Sequence, residues 1–245
     1  MSAERTASEA ALAFRSVTKC FGATRALDGF DLEVRRGELF GLVGQNGAGK
    51  TTLLKCLLDF CEPDSGDIQI FGVTTRTTAA RRDLAYLPER FIPPYYLTGR
   101  DFLRYMAALH RHAYDEQRVM ATFTYLDLDP GALTRAARTY SKGMTQKLGL
   151  CACLLSGKSL HVLDEPMSGL DPKARVLFKQ ELRKLRDDGH TVFFSTHALA
   201  DVEELCDRMA IVHRGRVQFA GTPRELTSRY AGESIEQAFL ACIDE

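Results

Sequence analysis

The sequence predicts an α/β fold built on a mainly parallel sheet, and three observations carry that expectation. Short β-branched or apolar runs alternate with longer stretches of helical periodicity, the pattern of strands joined by helical crossovers. A glycine-rich octapeptide, Gly44-Gln45-Asn46-Gly47-Ala48-Gly49-Lys50-Thr51, falls between one such apolar run and one such helix. From Thr98 to about Tyr140 the signals are helical only, which reads as a helical lobe inserted into the α/β core.

In chain order, residues 12–18 and 31–34 read as strands of an antiparallel flank, followed by a turn at Arg36-Gly37. The apolar run 39–43 reads as a strand, and 50–58 as the helix that follows it. Pro63-Asp64-Ser65-Gly66 marks a turn before a strand at 68–71. In the lobe, Phe102, Tyr105, Met106 and Leu109 recur at helical spacing, and Asp129-Pro130-Gly131 breaks the pattern. Helices are expected at 142–155, 172–187 and 200–206, and strands at 160–164, 191–195, 209–212 and 217–220, the last two joined through Arg214-Gly215. Thr222-Pro223-Arg224-Glu225 has the form of a capping box with proline at the first helical position, and residues 234–237 resemble a second, so two short helices should close the chain.

Composition narrows the class. The 245 residues suit one sizeable core, or one core with a smaller lobe. With 45% hydrophobic and 26% charged residues the chain is neither disordered nor fibrous. Lysine plus arginine and aspartate plus glutamate each total 32, so the net charge of +0 supplies no global attraction to nucleic acid, although a local basic patch stays open. Seven cysteines, an odd number without a CxxC pair, fit reduced thiols in a cytosolic protein. The first ten residues, MSAERTASEA, lack the apolar stretch of an export signal, and no apolar run approaches the roughly 20 residues of a spanning helix. Any membrane role is therefore expected to be peripheral.

The octapeptide satisfies GxxxxGK[ST] in the required context, strand before and helix after, and it makes the expected core that of a P-loop NTPase. Glycines let backbone N–H groups converge on phosphate oxygens, the helix N-terminus adds partial positive charge, Lys50 neutralises the β and γ phosphates, and Thr51 can ligate magnesium. The binding set runs on through Thr52. The loop alone would serve a kinase, a GTPase or a motor equally well.

The strand at 160–164 ends in Asp164-Glu165, two carboxylates at the carboxyl edge of a parallel sheet, where nucleotides bind. Asp164 would hold magnesium and Glu165 would take the proton of an attacking water; a helix-capping pair before Pro166 is the plainer alternative. His161, inside the same strand, reads as a satisfied structural histidine. His197 follows the strand at 191–195 and could reach the γ-phosphate or the water.

Together and in this order these residues resemble the ATP-binding cassette (ABC) ATPases, the nucleotide-binding subunits of ABC transporters, from about Phe14 to Leu226. Tyr140-Ser141-Lys142-Gly143-Met144-Thr145-Gln146 looks like the family's signature loop, Ser168-Gly169-Leu170-Asp171 like its D-loop and Ser195-Thr196-His197 like its switch histidine. The resemblance implies one ABC domain over 11–230, with a RecA-like core at 11–90 and 141–220, a helical lobe at about 91–140 and short helices at 221–245. It implies that Phe21 stacks on adenine, that Ser141 and Gly143 meet the γ-phosphate of a partner cassette, that Asp171 joins the nucleotide set, and that Thr51, Glu89 and Asp164 hold Mg2+. Lys142 and Met144 replace the usual signature glycine and glutamine, and Glu89 replaces a glutamine; these variants resemble one branch of the family, the simple exporters of drugs, lipids and polysaccharides, along with some respiratory-assembly transporters. An ionised Glu89 still offers oxygen to a cation but, unlike an amide, donates no hydrogen bond. The implied partners are an integral-membrane permease and a second cassette, either another copy or a different chain, at the cytoplasmic face of the cell membrane, with no nucleic acid. The implied activity is ATP hydrolysis coupled to transport, and the rival reading is a non-transport ABC ATPase acting on ribosomes or DNA, whose usual tandem cassettes or long coiled-coil insertion are not seen in this sequence.

Overall fold

The computed structural model describes residues 10–244; the N-terminal segment read above as lacking an export signal lies, but for its last residue, outside them. The first strands are longer than the sequence suggests. β1 (Ala10–Phe21) and β2 (Thr24–Arg35) form an antiparallel hairpin, and β1 also pairs with β4 (Ser65–Ile70), which pairs with β5 (Val73–Thr74). Together they make the antiparallel flank, in the order β2-β1-β4-β5. An irregularity near Ser16, with φ of 48°, divides β1 and hides its second half from a simple alternation pattern.

The main sheet has six strands, numbered in chain order with the others: β3 (Leu39–Val43), β6 (Leu84–Leu87), β7 (Leu160–Asp164), β8 (Thr191–Thr196), β9 (Arg208–His213) and β10 (Arg216–Gly221). Their order is β10-β9-β3-β8-β7-β6, parallel throughout except for β10, which returns antiparallel along β9. Side chains alternate across this sheet, so Leu39, Val43, Val192 and Phe194 enter one apolar cluster while Phe40, Leu42 and Phe193 enter the other. The second cluster also holds Leu53, Leu54 and Leu57 of α1 (Lys50–Leu57) and Phe14 and Phe30 of the flank. The first cluster also takes Ala85 and Leu87 of β6, Leu163 of β7, Met209 and Ile211 of β9 and Phe219 of β10, and helices supply most of the rest.

Those helices are α2 (Gly99–Leu109), α3 (Glu116–Tyr125), α4 (Lys142–Leu154), α5 (Pro172–Asp187), α6 (Leu199–Leu205), α7 (Pro223–Arg229) and α8 (Ile235–Asp244). Gly41 of β3 lets α6 lie close: a Cβ there would come within 2.9 Å of Cys206 Sγ and 3.1 Å of Val202. In the inserted segment α2 and α3 are joined to α4 through short 3₁₀ turns at Pro130–Thr134 and Ala137–Thr139. The face of α2 differs from the expected one. Phe102, Leu103 and Ala107 are buried, whereas Tyr105 and Leu109 are exposed, because the helix packs against α4 and the Pro130–Thr134 turn rather than lying along a single apolar stripe. The Thr222–Glu225 capping box forms reciprocally. At the start of α8 Ser234 accepts from Gln237, but the Gln237 side chain reaches Glu233 N (3.0 Å) rather than the cap residue's own N–H. Among the described residues no helix is long and apolar enough to cross a membrane.

Candidate active site

β3 delivers the chain to the phosphate loop at the carboxyl edge of the sheet, and α1 carries it away. Gly49 caps α1 at φ of 111°, and a Cβ there would stand 2.6 Å from Ala26 O, so only glycine fits the close approach of the flank. No side chain caps α1 and no acidic residue stands in its first turn, in contrast to α2, α3, α4, α5 and α7, each of which has a side-chain cap. The first-turn N–H groups and the positive end of the helix dipole thus face the loop without a built-in anion.

Gln45, Asn46, Gly47, Gly49, Lys50, Thr51 and Thr52 line a cavity of about 300 Å³ together with Glu89, Asp164, Glu165 and His197. Four elements bring these residues together: Glu89 follows β6, Asp164 ends β7, Glu165 begins the loop beyond it, and His197 follows β8. Gly44 and Ala48 shape the loop rather than the cavity wall. Gly44 O accepts from Lys50 Nζ at 2.5 Å, and Ala48 is buried beneath the loop. Burial pushes the Lys50 ammonium down from its ordinary range, while Glu165, Asp164 and Glu89 pull it back up.

Ser195 organises the acidic pair. Its hydroxyl donates to Asp164 Oδ1 and accepts from the Glu165 N–H at 3.0 Å. Glu165 adopts φ of 45°, a left-handed conformation that a glutamate holds only under constraint, and the backbone bond to Ser195 O (3.2 Å) helps supply it. Glu165 Oε1 then lies 2.9 Å from His197 Nδ1. A carboxylate can only accept, so with Glu165 in that form the contact places the hydrogen on Nδ1 and leaves Nε2 to meet whatever enters the cavity. The sequence motifs did not point to Thr24, Arg25 and Ala26 of β2 or to Arg214 and Gly215 of the β9–β10 turn, which also line the cavity. They arrive through backbone bonds from Asp28 N to Gly215 O (3.0 Å) and from Gly215 N to Ala48 O (2.9 Å).

Other expected residues lie elsewhere. Phe21 ends β1 opposite Thr24, at the rim of the cavity rather than in its wall, and is 53% exposed, which removes the alternative of a core phenylalanine. Ser141 caps α4 by accepting from Met144 N (3.2 Å), and a Cβ on Gly143 would lie 3.3 Å from Gly169 O, so residues 141–143 adjoin the 168–171 segment; Ser168 lines the chain's own cavity, whereas Ser141 and Gly143 do not. Asp171 caps α5 through Ala174 N (2.9 Å) and pairs with Lys147 (3.1 Å). His161 departs from expectation: it is 2% exposed, and neither ring nitrogen has a hydrogen-bond partner among the described residues. Burial, and then His190, hold its pKa down at about 4, so the ring is a neutral core group set edge-on to His190 at 5.6 Å.

The donor set fits a magnesium ion. Thr51, Glu89 and Asp164 present hard oxygen ligands to one cavity. Asp164 is buried, and its carboxyl is pushed up first by that burial and further by Glu89, an excess of negative charge that a divalent cation would offset.

The comparisons with known proteins agree with this architecture. The sequence profile of the family described as ABC transporter matches residues 27–168. The chain is 37% identical to an uncharacterized ABC transporter ATP-binding protein of Synechocystis over 86% of its own length, and spans 60% of the length of that relative. It is 35% identical to the Nod factor export ATP-binding protein I of Burkholderia thailandensis, over 95% of this chain and 77% of that protein. A solved structure described as the ATP-binding subunit of an ABC transporter superposes with a TM-score of 0.86 at 29% identity, covering 94% of this chain and 98% of that one. A family model matching more than half of the chain, and relatives at 37% and 35% identity over most of it, show that the chain belongs to the ABC transporter family, as an ATP-binding cassette.

Proposed function

We propose that the chain binds ATP in the cavity behind Gly44–Thr51 and hydrolyses it to power a membrane exporter whose pore is another polypeptide. The observation that carries this reading is the Glu165–His197 contact of 2.9 Å at the mouth of the cavity that also holds Lys50. Lys50 and the first turn of α1 take the phosphates, and Thr52 extends that cradle. Phe21, exposed at the rim, stacks on the base. A bound magnesium ion, held through Thr51, Asp164 and Glu89, would supply charge neutralisation at the β and γ phosphates. Glu165 accepts the proton of the water that attacks in line, and His197, oriented through Nδ1, steadies the γ-phosphate or that water from Nε2.

The reading extends to a pair of cassettes. Exposed Ser141, the cap of α4, and half-buried Gly143 in its first turn lie outside the chain's own cavity, a placement suited to a partner's nucleotide, and Asp171 of the adjoining segment pairs with Lys147 of the same helix. Export is favoured by the Lys142, Met144 and Glu89 variants and by the name of the Burkholderia relative. In the segment after Glu89, Phe91 and Leu97 pack inward against the core, while Ile92, Tyr95 and Tyr96 are exposed and suit a permease contact at the cytoplasmic face of the membrane.

The test is Glu165→Gln. Turnover should fall by roughly 10²- to 10⁴-fold, the range of general-base catalysis, while ATP affinity is retained. A variant that hydrolyses ATP within a few-fold of the parent would remove Glu165 as the base.

A further inference from the structure

Although the chain carries a net charge of +0, cations collect at one place far from the nucleotide cavity. A cavity of about 660 Å³ opens at the edge of the main sheet where β6 and β7 begin, bounded by the end of α2. The candidate active site occupies the opposite edge, where β6 leads on to Glu89 and β7 ends in Asp164. The charged wall consists of Arg81, Arg82, Arg111 and Lys158 against Asp83 alone, with His110 beside them. Arg81 is neutralised by Asp59 at 3.1 Å. Lys158 Nζ donates to the backbone oxygen of Arg82 at 2.8 Å, which orients the ammonium without compensating its charge. Among the described residues no carboxylate stands within ion-pair distance of Arg82, Arg111 or Lys158.

The backbone singles out Arg111. It closes α2 at φ of 62°, with its N–H bonded to Ala108 O (3.0 Å) and that of His112 bonded to Ala107 O (3.1 Å). This is a helix-ending turn whose left-handed residue is ordinarily glycine, so an arginine here holds a charge at a conformational cost. Beside the cations stand apolar groups. Leu109, itself part of the cavity wall, is 56% exposed, and Tyr105, one turn earlier on α2, is 52% exposed.

We propose that this cavity is a docking site for anionic phospholipid headgroups. Arg82, Arg111 and Lys158 receive the phosphate oxygens, and Leu109 and Tyr105 rest in the interfacial layer of the leaflet. Uncompensated cations flanked by an exposed aliphatic and an aromatic side chain are the combination that binds an anionic membrane surface. A free phosphate would need neither the apolar rim nor so wide a cavity. The site requires no nucleotide and no membrane-protein partner, so it stands or falls separately from the proposed function.

Vesicle flotation of the full chain at low salt provides the test, with phosphatidylcholine vesicles against vesicles in which roughly a third of the lipid is phosphatidylglycerol. The variant R82Q/R111G removes two cations, and glycine suits the left-handed position, so folding is safeguarded. The parent chain should float with the anionic vesicles only and be released by salt. Each cation near an anionic leaflet is worth on the order of fivefold, so the variant should bind roughly 30-fold more weakly, with ATP turnover unchanged. Equal recovery on both vesicle types overturns the proposal, as does anionic-vesicle binding that the variant leaves intact. So does saturable binding of inorganic phosphate that the variant loses when no vesicle binding is seen, which would assign the cations to a soluble anion. Loss of a copurifying permease in the variant, with vesicle binding preserved, would assign them to an acidic protein surface and equally overturn it.

Discussion

Asp164 illustrates how a single buried group can serve function against stability. Burial pushes its carboxyl above the ordinary range, the Ser195 hydroxyl and Lys50 pull it back, and Glu89 pushes it further up. Because the folded state holds this proton more tightly than the unfolded chain does, the contribution of Asp164 to stability is complete below the ordinary carboxylate pKa and is lost as pH rises through the folded value. Once ionised, Asp164 is a charge that its surroundings in the nucleotide-free chain disfavour. Asp164→Asn, which still accepts from Ser195, should raise the Tm of the nucleotide-free protein at pH 7, and the gain should shrink as pH falls into the carboxylate range at about 4. The same variant should lose magnesium-dependent nucleotide binding. Thermal melts at the two pH values test the idea, and a Tm that is unchanged or lowered at pH 7 would contradict it.

Between elements, a network of four ion pairs joins α5, which begins after Asp171, to α6, which begins after His197. Lys179 of α5, largely buried, meets Asp201 of α6 at 2.9 Å and also bonds Glu204; Arg175 holds Asp201 at 3.0 Å and Arg183 holds Glu204 at 2.7 Å. Lys179→Met should destabilise the fold by on the order of 2 kcal/mol, less than for a lone buried pair, because Arg175 still faces Asp201. Urea titration should show a lower midpoint with an unchanged m-value, and a midpoint equal to the parent's would dismiss the link as structural support. Neither Lys179 nor Asp201 stands in any linear motif, which shows where sequence reading stops. β3, β7 and α5 have the bounds expected from sequence, since an unbroken apolar run or a capped amphipathic stretch is a local signal. The four-residue β6 is too short to announce itself, and the buried face of α2 is chosen by α4, more than thirty residues away. The site divides in the same way. Lys50, Glu89, Asp164, Glu165 and His197 sit in recognisable local patterns, and the fold gathers them into one cavity. Ser195 acts on Asp164 and Glu165 only because β7 and β8 are neighbours, and Thr24 to Ala26 reach the loop only because two sheets meet beside it.

On the scale of the whole molecule, the geometry separates two groups of residues that the proposed function assigns to one nucleotide site. Lys50 and Glu165 share one cavity, whereas Ser141 and Gly143 lie outside it at the start of α4. If catalysis requires both groups, they have to come from two chains arranged head to tail with two-fold symmetry. Lys50→Ala removes the phosphate contact, and Ser141→Arg places a bulky cation on the signature loop, so each variant alone should be inactive. Mixed, the two variants form a heterodimer in which one site carries both substitutions and the other carries neither. With random pairing half of the dimers are mixed and one of their two sites is intact, so turnover should return to about a quarter of the parent's if the sites act independently. A site completed within one chain predicts no recovery at any mixing ratio. Measuring ATPase activity against the ratio of the two inactive variants therefore decides between a self-sufficient cassette and one whose active site exists only in the pair.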